Sequence, residues 1–149
     1  MAATTRHLRF DRSLAAPAAD VWGRLVDLGG YGSWNPWIVE ARGDIVVGAK
    51  LRLRYAMASG SRPRARGIVT EVVDGRVVAW RQRAGMKGLF DVTHRFEVVP
   101  SSRRSCRVSY GIDVGGIATS AVWGFVSGDV ETGAEALMDA LAETVGGRR

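Results

Sequence analysis

His94, Tyr110 and Glu71 are the residues of this chain whose types could together move a proton. An imidazole titrates nearest neutrality, and a phenol or carboxylate beside it can share its proton, orient it or stabilise its charged form. The three are distant in sequence, so everything depends on whether strands bring them onto one wall. His94 lies in GLFDVTHRFEVVP, residues 88 to 100, where Phe90, Val92, His94, Phe96 and Val98 alternate with Asp91, Thr93, Arg95 and Glu97. A period of two makes this a half-buried strand with His94 on its apolar side. Such a histidine is either a hydrogen-bonded core residue or one that faces a cavity.

The neighbouring elements decide between those roles. RHLRFDRSLAA reads as a strand; Pro17 then opens a helix with Val21, Trp22, Leu25, Val26 and Leu28 at helical spacing, ended by Gly29-Gly30. YGSWNPWIVEA follows as a bulky turn in which Pro36 prevents a long helix. KLRLRYAM, RARGIVTEVV, RVVAWRQRA, GLFDVTHRFEVV and RSCRVSYGIDV are strand-like and joined by short turns, which predicts an antiparallel sheet. A glycine-rich stretch, SYGIDVGGIATSAVWG, precedes a C-terminal helix that the pattern predicts from Val130, with Ala134, Leu137, Met138, Leu141 and Val145 on its buried face. Its other face carries Glu131, Glu135, Asp139 and Glu143, read as a solvated acidic row.

Turn chemistry gives registers. Asp74-Gly75 is a two-residue hairpin signal that pairs Val73 with Arg76, Glu71 with Val78 and Val69 with Trp80. A turn over Ala84 to Gly88 sets Val78 opposite His94 and Trp80 opposite Val92; one over Pro100 to Arg104 sets His94 opposite Tyr110 and Phe96 opposite Val108. One inner row then reads Glu71, Val78, His94, Tyr110, with strands ~4.8 Å apart. A one-residue slip at Asp74-Gly75 removes Glu71 from it. Polar groups on an apolar wall cost free energy unless they bond to each other, to water or to a ligand.

Many large side chains share that inner side. Tyr55, Met57, Trp80, Gln82, Phe90 and Phe96 come from the strands, Met138 from the last helix, and Trp123 and Phe125 from just before it. Trp34 and Trp37 flank Asn35-Pro36. Gly133, Ala134 and Ala136 leave room beside the helix, so the pattern predicts a cavity for a flat or elongated apolar ligand.

AAPAADVWGRLVDLGGYGSWNP at 15 to 36, WRQRA at 80 to 84 and GLFDVTHRFEVVP at 88 to 100, with the order of elements, resemble the START-like, helix-grip superfamily (SRPBCC, Bet v 1-like), in its polyketide cyclase/dehydrase-type branch. The resemblance implies a single α+β domain over residues 1–149. In it a curved antiparallel sheet of six or seven strands wraps a long C-terminal helix, with one or two short helices after the first strand. It implies an internal cavity for an apolar or aromatic, polyketide- or lipid-like molecule, closed on one side near Trp34, Asn35 and Trp37. Cyclase, aromatase or dehydratase action would follow from positioning the ligand and moving protons through His94, helped by Tyr110 or Glu71. The alternatives are a non-catalytic carrier or sensor, and an interaction module that uses the outer sheet face.

Composition narrows the field. One cysteine, Cys106, excludes an internal disulfide, and His7, His94 and Cys106 lack metal-ligand spacing. No phosphate loop or nucleophile elbow is present, so no nucleotide or metal cofactor is expected. No apolar run reaches membrane-span length and the N-terminus lacks a signal core, which predicts a cytoplasmic protein, monomer or homodimer. The net charge of +6 comes largely from arginine. Arg52, Arg54, Arg64, Arg66, Arg81, Arg83, Arg95 and Arg107 take outward parity, with Arg66 opposite Arg83 and with Asp91, Glu97 and Asp113 diluting the field. A basic convex sheet could meet an acidic acyl carrier protein, an anionic membrane or nucleic acid; no aromatic residues interleave with the arginines, which argues against the last.

Overall fold

Alternating strands joined by tight turns build one antiparallel sheet in the order β1-β7-β6-β5-β4-β3-β2. The computed structural model describes residues 5–84, 90–116 and 118–146. Its elements are β1 (Arg6–Leu14), α1 (Ala18–Val26), a 3-10 helix (Leu28–Ser33), β2 (Ile38–Arg42), β3 (Lys50–Tyr55), β4 (Arg64–Val73), β5 (Val77–Ala84), β6 (Phe90–Ser102), β7 (Ser105–Gly115) and α2 (Thr119–Gly146). The sheet curls as a half-barrel around α2, the helix-grip arrangement. No helix among the described residues is long and apolar enough to cross a membrane.

The core lies between the inner sheet face and two helices. Val78, Trp80, Phe96, Tyr110 and Ile112 meet Val21 and Leu25 of α1 and Ala134, Leu137, Met138 and Leu141 of α2, all fully buried. Helix α2 begins at Thr119, well before the predicted Val130. Trp123, Val126 and Val130 carry the inward stripe upstream at three- and four-residue steps, while Gly124 and Gly128, which face open space, make the segment look like a loop. Trp123 and Phe125 therefore sit inside the helix rather than before it. The acidic row is partly engaged: Arg12 of β1 holds Glu135 at 2.6 Å and Asp139 at 3.1 Å, tying helix to sheet edge.

Gly133 marks the closest approach between α2 and the rest of the fold. A Cβ there would overlap the buried Trp37 ring, so the ring or the helix must shift to accept it. Gly133→Ala is therefore expected to destabilise by roughly 1–3 kcal/mol through overpacking, although alanine is the better helix former by ~1 kcal/mol. A chemical denaturation midpoint that rises in the variant would contradict this packing.

Candidate ligand-binding site

Three hairpins place the polar side chains of the inner wall, each differently from the sequence expectation. At Asp74-Gly75 the loop is one residue longer: Val73 pairs with Val77, Gly75 adopts a left-handed φ of 76°, and a bulge at Thr70 restores Val69 opposite Trp80. Glu71 is thereby turned to the outer face opposite Ala79, where it accepts from Arg95 Nε at 3.0 Å. It does not belong to the inner row, and as one half of an exposed ion pair it contributes less than about 1 kcal/mol. Between β5 and β6 the pairing shifts by two residues, so Trp80, not Val78, lies opposite His94. Between β6 and β7 a two-residue turn with a bulge at its base sets His94 opposite Ile112, and Phe96 opposite Tyr110. Shifts of two preserve parity, so His94 and Tyr110 stay inward as diagonal neighbours.

His94 is 1% exposed, and both of its ring nitrogens are engaged. Nδ1 lies 2.6 Å from Tyr110 Oη and Nε2 lies 3.2 Å from Tyr55 Oη. The Tyr55 hydroxyl also bonds Gln82 Oε1, which receives Trp80 Nε1–H at 3.0 Å. The direction of this chain follows from its one donor-only member. An indole N–H can only donate, so its partner is the Gln82 carbonyl oxygen, and that acceptor takes the Tyr55 O–H as well. The Tyr55 oxygen then accepts His94 Nε2–H, leaving Nδ1 to accept the Tyr110 O–H.

Charge follows the same logic. Burial lowers the His94 pKa to about 3, so the imidazole is neutral across the physiological range. Burial raises both Tyr55 and Tyr110 above the ordinary phenol value, keeping both protonated. A neutral imidazole has one donor and one acceptor, and both are used. The polar functions left over among the described residues here are a lone pair on Tyr55 Oη, the amide nitrogen of Gln82 and the buried indole N–H of Trp37, another cavity-lining residue.

Beside this chain lies a cavity of about 180 Å³ between sheet and α2. Trp37, Tyr55, Met57, Gln82, His94 and Trp123 line it, as the sequence predicts. Val92, Ile112 and Val114 also line it; the sequence reading put Val92 on the inner side of its strand and did not single out Ile112 or Val114. Val126 and Val130 come from the early part of α2, and Pro63, Arg64 and Ala65 from the start of β4. The volume resembles that of cavities of ~150 Å³ that accept a benzene ring, and lies below the ~300–1,000 Å³ of drug-sized pockets.

Several predicted lining residues serve the fold instead. Trp80 is fully buried and stacks on His94 at 5.2 Å, so it reaches the site only through Gln82. Phe96 stacks on Tyr110 at 4.1 Å, and Met138 is core. Asn35 accepts the backbone N–H groups of Trp37 and Ile38 at 3.0 and 2.8 Å, shaping the entry into β2. Trp34 packs edge-on against Tyr31 at 5.3 Å. Phe125 is 87% exposed on the far side of α2, because its place in the helix turns it from the stripe of Trp123 and Val126. Phe90 opens β6, but its side chain lies outside the described residues.

Residues 5–146 match the family described as polyketide cyclase / dehydrase and lipid transport. The chain belongs to this family. Among solved structures it resembles the Zhui aromatase/cyclase from Streptomyces sp. R1128, with a TM-score of 0.78 and 18% identity over 95% of this chain and 93% of that one. Norcoclaurine synthase from Thalictrum flavum, in complex with dopamine and hydroxybenzaldehyde, gives a TM-score of 0.72 and 16% identity, covering 96% of this chain and 87% of that one. A START superfamily protein from Mycobacterium smegmatis gives 0.70 and 21%, covering 93% and 96%. At these identities the likeness establishes the fold. No curated protein sequence matches at a significant level. In this polyketide cyclase/dehydrase family member, the helix-grip fold with its internal cavity is the frame for binding a small hydrophobic ligand.

Proposed function

We propose that the protein binds a compact aromatic or unsaturated molecule carrying an oxygen function. Its ring would lie against Trp37, Ile112, Val114, Trp123 and Val130, and its oxygen would meet Tyr55 and Gln82. The observation that carries this reading is the cavity wall itself, largely apolar apart from the Tyr55–Gln82–His94 chain and Arg64 at the start of β4. In that chain His94 holds Tyr55 in place: its protons and lone pairs are committed, so it orients the hydroxyl that a ligand meets. Binding is therefore the primary role, as in a carrier or sensor.

An enzymatic reading, with cyclase or dehydratase chemistry, is favoured by one feature, the unbroken bonding from Tyr110 through His94 to Tyr55 at the cavity. For His94 to take a proton from a ligand there, the ring must be in its other neutral tautomer, with Nδ1–H donating to Tyr110 Oη and Nε2 carrying the lone pair. The surroundings of the relatives' names, aromatase/cyclase and norcoclaurine synthase, support reactions of aromatic or ring-forming substrates for this site. An acidic acyl carrier protein as substrate donor belongs to this enzymatic reading.

Native mass spectrometry of freshly purified protein, followed by organic extraction, tests the proposal. A copurifying aromatic or polyketide-like compound is expected; a protein that stays empty against a panel of aromatic and acyl compounds contradicts it. With a compound in hand, His94→Ala separates the readings. A binder loses affinity, whereas an enzyme keeps affinity and loses turnover by roughly 10²-fold or more, the scale of general acid-base assistance.

A further inference from the structure

The charge of this molecule is segregated on its outer surface. Strands β2 to β5 carry eight cationic side chains and two acidic ones, so the whole chain's net charge of +6 resides on this half of the sheet. In the other half Arg9 pairs with Asp11 at 3.2 Å and Arg95 with Glu71 and Glu97 at 3.0 and 3.7 Å, and Asp113 lies within hydrogen-bond distance of His7 Nδ1, at 2.6 Å. Glu97 thus spends its charge on Arg95, while among the arginines of β3 to β5 Arg54 pairs with Glu40 at 3.2 Å and Arg83 with Asp91 at 3.6 Å.

Registry concentrates those cations. Arg52 stands directly opposite Arg66, and Gly67 opposite Gln82 brings Arg66 beside Arg83. Lys50 and Arg81 flank Ile68 from either side. Together Lys50, Arg52, Arg66, Arg81 and Arg83 wall a depression of about 420 Å³ on the outer face. Among the described residues, the one ion pair made by this group is Arg83 with Asp91, at 3.6 Å. Like charges opposite one another across strands are destabilising. An anion seated among them reverses the sign of that interaction.

We propose that this depression is a binding site for a multivalent phosphate group, carried by a soluble phosphate ester or by an anionic lipid headgroup. Guanidinium groups grip phosphate oxygens two at a time, and cations at this density need an anion with more than one charge. A single carboxylate leaves most of them unneutralised. No aromatic side chain stands among the cations to stack a base, which disfavours a polynucleotide. The site is on the opposite sheet face from the cavity and does not depend on what the cavity holds.

Calorimetric titration of the full chain with inorganic tripolyphosphate tests it, with sedimentation of phosphatidylcholine vesicles, with and without phosphatidic acid, whose phosphomonoester carries more than one charge, as a second arm. Saturable one-site binding is expected, weakening as salt rises and falling by about 100-fold in R66E/R83E, the scale of two lost charge-assisted hydrogen bonds. R103E/R104E, the same charge change in the β6–β7 turn, is expected to bind as the parent does. In the absence of anion, R66Q is expected to melt above the parent, because it relieves like-charge repulsion; this readout survives if the double reversal folds poorly. Vesicle binding alone, lost in R66E/R83E, identifies the phosphate as a lipid headgroup. No binding in either arm, or equal weakening by both double variants, overturns the proposal.

Discussion

Acidification from about pH 7 to about pH 5 is expected to remove roughly 2 kcal/mol of stability through His94 alone, before most carboxylates titrate. In the folded protein its pKa is lowered to about 3 by burial, whereas in the unfolded chain it returns to 6.5. Between those values the unfolded state binds a proton that the native state refuses, so the stability present above pH 6.5 is lost as pH falls, by ~1.4 kcal/mol per pH unit at the steepest. By about pH 3 the loss reaches roughly 4 kcal/mol. His94→Gln keeps an acceptor for Tyr110 and a donor for Tyr55 and has no titration in this window, so its stability between pH 7 and pH 5 is expected to be nearly flat. Urea denaturation at several pH values measures both proteins. Equal slopes in parent and variant would mean that the imidazole is solvated or already charged.

Val130→Trp carries the largest expected effect on binding. Val130 is half-buried where α2 faces the cavity, and an indole at that position occupies the space a ligand ring needs. Ligand retention is expected to fall by about 100-fold or more, since a ring displaced from an apolar site forfeits ~2–3 kcal/mol of burial. The fold is expected to tolerate the change, because the added volume enters a void instead of a packed core. Extraction of the purified variant, compared with the parent, reads the result. Undiminished ligand in the variant would place the binding site elsewhere.

Strands β1 and β3 to β7, the two helical regions and the inward parity of His94 were legible in the sequence because alternation at period two survives any register, whereas β2, Ile38–Arg42, was read as part of the bulky turn. What pairs with what was less legible. Turn signals locate a hairpin, but loop length differs by one residue between a two-residue turn and the longer form at Asp74-Gly75, and the bulge at Thr70 that compensates leaves no mark in the sequence. Glu71 was misplaced for that reason alone. The even shifts in the other two hairpins did no such harm, so the His94–Tyr110 contact emerged from incorrect pairings. The start of α2 was hidden by glycines at 124 and 128, whose effect on propensity outweighs the spacing of Trp123, Val126 and Val130. The role of Gln82 depends on a three-way meeting with Trp80 and Tyr55 across strands, which no local pattern encodes.

The most direct test of the central claim, that this cavity holds a small aromatic ring with its oxygen at Tyr55 and Gln82, is a paired calorimetric titration with p-cresol and toluene. The two probes share a ring and differ by one hydroxyl. The account predicts that p-cresol binds about tenfold more tightly, the scale of one net hydrogen bond, and that Tyr55→Phe removes most of the difference. Equal affinities for the two probes, or no saturable binding of either, would contradict it.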